Sequence, residues 1–302
     1  MTLAPDSLVS RQDPATSAAR RGTLLVACAS VCWSTGGLFV RLVNTSSWTT
    51  TFWRSLAATL CLGLVLSLTH RTSIVRLWRD GGRPAATVAV FMALTSTCFI
   101  LSLAHTSVAD TLLLMSTGPF VAGLLGWLLL GERVPHRTWA SMCVALAGTA
   151  VMVSGSYTRG ALTGDLLALV MAMSFAAAIV LIRRHPEIQM GPAAALGTAL
   201  TALAMLPLAD PFATSRRDLV LLTIFGAVQF SGGFLLFMGG ARLIPAAETA
   251  LIEMLETVLG PIWVWLVLSE RPPATTLAGG ALILAALLAN TWLDLVIGSR
   301  RR

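Results

Sequence analysis

Two stretches of this chain are copies of one another. Residues 109–133 read ADTLLLMSTGPFVAGLLGWLLLGER, and residues 247–271 read AETALIEMLETVLGPIWVWLVLSER. Laid side by side without a gap, Ala109, Thr111, Leu113, Trp127, Leu128, Leu130, Glu132 and Arg133 face Ala247, Thr249, Leu251, Trp265, Leu266, Leu268, Glu270 and Arg271. The acid Asp110 faces the acid Glu248, and the match runs on through Pro135, Thr138 and Ala140 against Pro273, Thr276 and Ala278. Each copy is apolar enough to cross a bilayer. Duplication of apolar segments constrains the fold severely: it points to a membrane transporter made of two related halves.

The rest of the chain agrees. It is 56% hydrophobic and only 12% charged, against about 25% charged in a soluble domain. The apolar runs are long and continuous, so the chain reads as α-helical rather than as an alternating membrane barrel. The net charge is +7 and every basic residue is arginine. These arginines cluster in short segments between apolar runs, which is a topology signal and no footprint of nucleic acid. Cys28, Cys32, Cys61, Cys98 and Cys143 all fall inside apolar runs without disulfide or zinc spacing, as buried small residues do.

Ten spans are expected, at 23–43, 49–68, 85–104, 108–130, 137–154, 162–183, 191–209, 218–240, 246–268 and 275–297. Each is close to the ~20 residues that a bilayer requires. With the N-terminus in the cytoplasm, fifteen arginines fall in inner loops and tails, and four, Arg159, Arg216, Arg217 and Arg271, in outer loops. That bias places both termini in the cytoplasm. Five spans per half is an odd number, so the second half enters the membrane from the opposite side, and the repeats are inverted. The expected organisation is a disordered tail over 1–21, a first five-helix repeat over 22–154, a second over 160–297, and a basic tail over 298–302. The first spans also align across the halves, Trp33 on Phe175 and Arg41 on Arg183.

Ten spans in two inverted halves, with GWLLLGERVP at 126–135, WLVLSERPP at 265–273 and WST at 33–35, resemble the drug/metabolite transporter superfamily, and within it the EamA-type exporters. The likeness covers about residues 22–297. It implies an all-α membrane protein whose helices surround a central cavity, spans five and ten standing outside. Members often carry Glu-Pro in the ninth span. Here the pair is Glu256-Thr257 and the proline comes later, at Pro261, so a kink is expected there, with Pro119 as its counterpart in the first half.

Among residues that carry chemistry, Glu253 and Glu256 stand out. At ~1.5 Å per residue they lie roughly 10 and 14 Å into span nine, on one face. An ionised carboxylate at that depth costs at least ~3 kcal/mol unless wet or paired. Two readings stay open: a site for a proton or a substrate ammonium, or a structural pair hydrogen-bonded to neighbouring helices. Asp110 and Glu248, one turn inside spans four and nine, read as complements to the helix dipole. Glu132 and Glu270, each next to an arginine in sequence, read as anchors or gate contacts at opposite faces. Arg54 lies one turn into span two beside Trp53. It either snorkels outward or meets a substrate carboxylate near the outer mouth. Trp33, Phe99, Phe175, Gln229 and Phe237 are cavity-lining candidates on the strength of the resemblance; otherwise they face lipid or pack between helices. Gly148, Gly279 and Gly280 make spans five and ten close-packing surfaces, used within the fold or against a second copy, with monomer and homodimer equally open.

No HExxH, GxSxG or GxxxxGK motif is present, so neither an enzyme nor a cofactor is expected. The reading is a secondary transporter of the inner membrane. It exports small metabolites by alternating access, with protons as a candidate coupling ion and neutral or aromatic amino acids as the leading substrates. The near absence of mid-membrane arginine argues against phosphorylated substrates, and the WST motif also resembles the aromatic amino-acid exporters. A channel and a non-transporting sensor are the rivals.

Overall fold

The computed structural model describes residues 14–70, 74–106, 108–154, 162–188, 190–269 and 271–300, a few side chains within them excepted. Among these residues there are helices and no strands. In chain order they are α1 (Pro14–Ser34), α2 (Gly36–Leu42), α3 (Ser47–His70), α4 (Ile74–His105), α5 (Val108–Met115), α6 (Gly118–Leu130), α7 (His136–Val153), α8 (Leu162–Arg184), α9 (Gly191–Met205), α10 (Arg216–Ile224), α11 (Ser231–Ala241), α12 (Ala246–Glu253), α13 (Leu255–Leu268) and α14 (Ala274–Arg300). A π-helical stretch, Phe225–Phe230, joins α10 to α11.

Seven helical stretches are long and apolar enough to cross a membrane: Ser17–Leu42, Ser47–Thr69, Thr111–Leu130, Leu162–Arg184, Arg216–Ala241, Ala246–Leu268 and Ala274–Trp292. A shorter apolar helix, Gly191–Met205, lies beside them. Leu60, Leu64, Leu68, Leu128, Leu203 and Leu288 are more than half exposed. Water would not tolerate such an apolar exterior, and acyl chains do. The protein is therefore a multi-pass membrane protein. Helices α4 and α7 cover the expected third and fifth spans without entering that set of seven.

Several expectations about helix ends shift. Helix α1 begins at Pro14, inside the expected tail, because Ala15, Ala18, Ala19, Arg20 and Arg21 are good helix formers. Helix α14 likewise runs on to Arg300. The seventh span is only Gly191–Met205, 15 residues. Most of it is buried, and small residues such as Ala193, Ala194 and Gly197 let it nestle against α3 and α4. Four of the apolar spans are interrupted or distorted: at Thr35, at Ser116-Thr117, through Phe225–Phe230, and at Met254. The second-half break falls at Met254, while Pro261 lies within α13.

The halves interleave. Helix α4 packs on α8 and α9, α3 on α9 and the π-helical stretch, and α1 on α11, α12 and α13. Phe234, Phe237, Leu62, Ile179 and Ile182 form the fully buried centre between them. Helices α7 and α14 pack mainly on each other, with further contacts to α5 and α13. A Cβ added at Gly279 would strike the carbonyl oxygen of Gly148, so the backbones touch where both residues are glycine, as close helix contact in lipid requires. Thr138 donates to Asn290 Oδ1 across the same seam at 3.0 Å. The glycine faces of spans five and ten thus meet each other within one chain.

Candidate functional site

The site is built where the broken helices meet. In α12 the ladder tightens at its end: Met254 N–H donates to Leu251 O at 3.2 Å, and Thr257 N–H to Met254 O at 3.2 Å. This three-residue spacing leaves Glu253 at the last position of α12 and Glu256 in the first turn of α13. Helix ends inside a membrane protein carry partial charge, so Glu256 sits at a positive end and Glu253 at a negative one. Glu253 is 5% exposed, and its carboxylate oxygens make no hydrogen bond of ordinary geometry among the described residues, the Ser30 hydroxyl being a polar neighbour. Nearby, Ser30 Oγ donates to Val26 O at 2.9 Å and, more weakly, to Ile252 O at 3.4 Å. A buried polar group without a partner is costly, and Ser30 stands one turn before Trp33 on α1.

The centre between the helices is a packed aromatic cluster. Trp33 meets Phe237 at 5.2 Å, Phe234 at 6.2 Å, Phe230 at 6.3 Å and Phe175 at 6.5 Å between ring centroids. Its indole N–H donates to Phe230 O at 3.3 Å, while Gln229 Nε2 donates to Trp33 O at 2.9 Å. Gly233 makes room for the indole, because a Cβ there would collide with it. Each residue of the WST run therefore has a physical role. Trp33 packs at the middle of the rings, Ser34 accepts from Trp263 Nε1 at 2.8 Å, and Thr35 forms the break between α1 and α2, its hydroxyl bonded to Cys32 O at 2.7 Å.

Arg54 departs from its expected direction. It does not snorkel outward. Its guanidinium carbon lies 5.3 Å from the Phe225 ring centre and 5.2 Å from that of Phe230. One guanidinium nitrogen donates to Ser96 Oγ at 3.2 Å, and its charge is within interaction range of Glu256. Two aromatic faces, a hydroxyl and a nearby carboxylate offset the desolvation that would otherwise send it to the interface. The premise that the membrane interior lacks arginine is corrected accordingly.

Trp33, Phe175, Phe237, Gln229 and Arg54 are thus brought together, with Glu253 and Glu256 beside them. Phe99 is not: it is half-buried on α4 and makes no ring contact among the described residues. Sequence reasoning passed over Phe225, Phe230, Phe234, Ser96 and Trp263. The signal that was there is the Phe-Gly-Ala-Val-Gln-Phe run, whose two aromatic ends and glutamine all turn inward only because the segment is π-helical. Such widened turns recur at functional sites.

A second cluster sits at the far end of α6. Gly131 has φ 68°, which lets Glu132 N–H fold back to Gly126 O at 3.2 Å and swings the carboxylate toward α8. Arg183 Nε donates to Glu132 Oε1 at 2.9 Å, and Ala246 N–H, at the start of α12, to Glu132 Oε2 at 3.2 Å. The partner of Glu132 is therefore Arg183, not its sequence neighbour Arg133. Arg183 also donates to Arg242 O at 2.6 Å. A cavity of about 290 Å³ lined by Glu132, Arg183, Pro245 and Glu248 opens here. Glu248 occupies the first turn of α12. The side chain of Asp110 and all of Glu270 lie outside the described residues. Pro119 stands in the first turn of α6, just after the break at Ser116-Thr117.

Interrupted apolar helices around a buried cluster of aromatic and charged residues suit a membrane transporter. The EamA-like transporter family matches residues 20–154 and 162–292, one match per half; the chain belongs to that family. It is 28% and 29% identical to pseudopaline exporter CntI from two strains of Pseudomonas aeruginosa, over 89% of this chain and 95% of those proteins. An uncharacterized transporter of Archaeoglobus fulgidus is 26% identical over 89% of this chain and 96% of that protein. A solved crystal structure superposes with a TM-score of 0.78 at 18% identity, over 91% of this chain and 98% of that one. That last likeness concerns the fold alone.

Proposed function

We propose that the chain is a secondary exporter of small metabolites in the inner membrane, with neutral or aromatic amino acids as its substrates. It works by alternating access across ten spans in two inverted halves with both termini cytoplasmic. One observation carries the substrate reading. A buried aromatic cluster is built around Trp33, and one turn away on α1 Ser30 reaches the residue next to the buried Glu253, whose carboxylate oxygens make no hydrogen bond of ordinary geometry among the described residues. An apolar wall with a few placed polar groups suits a small amphiphilic ligand, and an unpartnered carboxyl suits a group that arrives with it, an ammonium or a proton. The similarity to proteins named as pseudopaline exporters supports the export direction and adds pseudopaline to the compounds worth testing.

Proteoliposomes holding the purified chain, offered labelled phenylalanine, tryptophan, methionine, leucine, pseudopaline and a sugar phosphate, test this. Saturable uptake of an amino acid, competed by others with large side chains, is the expected result. Competition by the sugar phosphate with none by amino acids overturns the substrate reading. Topology is tested separately with single cysteines at Val134 and Pro272 in a background lacking native cysteines. An impermeant thiol reagent on intact cells should label Pro272 and leave Val134 unlabelled. Labelling of both from one side sinks the inversion.

A further inference from the structure

We propose that Glu132 is the latch of an access gate. Its bonds to Arg183 and to the first amide of α12 hold shut the face at which α6, α8 and α11 end, and transport requires their release. This rests on the alternating-access reading proposed above, which makes that face the cytoplasmic one, and adds the contact that sets which way the protein is open.

One carboxylate of the first half holds three elements of the second. Oε1 accepts from Arg183 Nε at 2.9 Å at the end of α8, and Oε2 from Ala246 N–H at 3.2 Å where α12 begins. Arg183 extends the connection by donating at 2.6 Å to the carbonyl of Arg242, the cap of α11. Releasing this one side chain therefore loosens the polar ties of α8, α11 and α12 to α6 together.

The apolar seam beneath the latch is smooth. Gly123 and Gly126 on α6 face Ala247 and Ala246 on α12, and a Cβ added at either glycine would rest 3.6 Å from the alanine Cβ, in ordinary contact. Other glycine contacts between the halves interlock: a Cβ at Gly226 would lie 2.8 Å from that of Ala57, and one at Gly240 would lie 2.7 Å from Gly22 O. Small groups that meet at van der Waals distance give up few atom contacts when they part. At this seam the charge-assisted bonds therefore supply the larger share of the closure.

The pair is also placed to be broken and remade. A fully buried ion pair strands two charges when it parts. The side chains of Glu132 and Arg183 are instead partly exposed, and a cavity of about 290 Å³ adjoins them, so each partner separates into room for water.

The test uses the purified full chain in proteoliposomes, with the five native cysteines replaced by alanine. A single cysteine at Gly126, buried and under the Glu132 carboxylate, reports opening of this face through its rate of reaction with N-ethylmaleimide. A second, separate cysteine at Ser55, buried on α3 towards the opposite face, serves as the control. Glu132→Gln and Arg183→Gln should each speed labelling at Gly126 by about tenfold or more, as loss of one charge-assisted bond in a two-state equilibrium requires, and should not speed it at Ser55. Should Gly126→Cys not give a monodisperse protein, Ala247→Cys, 2% exposed, takes its place. Equal acceleration at both faces, or none at Gly126, overturns the latch. Gly126→Cys with Ala246→Cys then tests the need for release: the 3.6 Å between their Cβ positions lies within the roughly 3.5–4.5 Å that a disulfide spans. Uptake of labelled phenylalanine should fall at least about tenfold on oxidation and return on reduction, and uptake that persists in the fully cross-linked protein overturns the latch. No phenylalanine uptake in the reduced protein, with labelling as expected, removes the amino-acid reading and leaves the latch standing.

Discussion

Ser116 and Met254 occupy the same place in the two copies of the repeat, and at both the helix is interrupted. In the first copy the interruption is made locally. The hydroxyls of Ser116 and Thr117 donate to the carbonyls of Leu113 and Leu114, each at 2.7 Å, competing with the helix ladder, and Pro119 opens the next helix. The second copy has none of this chemistry: the break falls on a methionine, and its proline is seven residues away, inside α13. Yet where the first copy has Met115 and Gly118, the second has Glu253 and Glu256. Duplication gave both halves an open pair of helix ends, and one half alone received the acids. The interruption is therefore a property of the architecture, while the charge is a property of one copy.

The largest effect should come from erasing that difference. Glu256→Gly makes the second copy resemble the first, and uptake in proteoliposomes should fall by about tenfold or more, as a residue that holds the charge pattern of a buried site demands. Gly118→Ala in the first copy should leave uptake within about twofold, because a Cβ there meets nothing within 4 Å. Equal losses at both positions would break the comparison.

A smaller effect is expected at Glu132. Its side chain and that of Arg183 are 23% and 28% exposed, so water screens part of their attraction. Glu132→Gln should cost about 1–2 kcal/mol of stability, read as a lower thermal midpoint in detergent. Arg183→Gln should cost a similar amount, and the double variant little more than either single one. Fully additive losses would mean that the pair does not act as a unit.

The smallest effect sharpens the comparison at the two helix ends. Gly131 and Ser269 hold the same position and the same left-handed conformation, with φ 68° and 59°. Only glycine adopts it without cost. Ser269→Gly should stabilise the protein by about 1 kcal/mol, and Gly131→Ser should destabilise it by about as much. Shifts of the same sign would show that the two ends are not equivalent.

Much of this was legible in the sequence, for identifiable reasons. Apolar runs fix where helices lie, so each expected span meets a helix. The repeat fixes which residues correspond, so Trp33 and Phe175 were paired before their rings were seen to meet. What sequence gives at a membrane position is depth, and what it withholds is azimuth. The direction of Arg54, left open between the outer interface and a substrate carboxylate, is set by Phe225 and Phe230, some 170 residues on. The position of Phe99 in the chain likewise does not say whether it joins the rings around Trp33. The break at Met254 left no local mark, since no proline, glycine or hydroxyl stands there and the proline of this copy is Pro261.

The two oxygens of Glu132 hold different bodies: one grips Arg183 at the end of α8, the other the first amide of α12. Helix α12 is thereby pinned at one end and interrupted at the other. It is a lever eight residues long, about 12 Å at the rise of an α-helix. Glu253 stands at its interrupted end. A swing of about 5° around the pinned end carries that carboxyl through about 1 Å, the difference between a hydrogen bond made and one missed. The carboxylate at one face of the protein thus sets the pivot for the carboxyl at its centre.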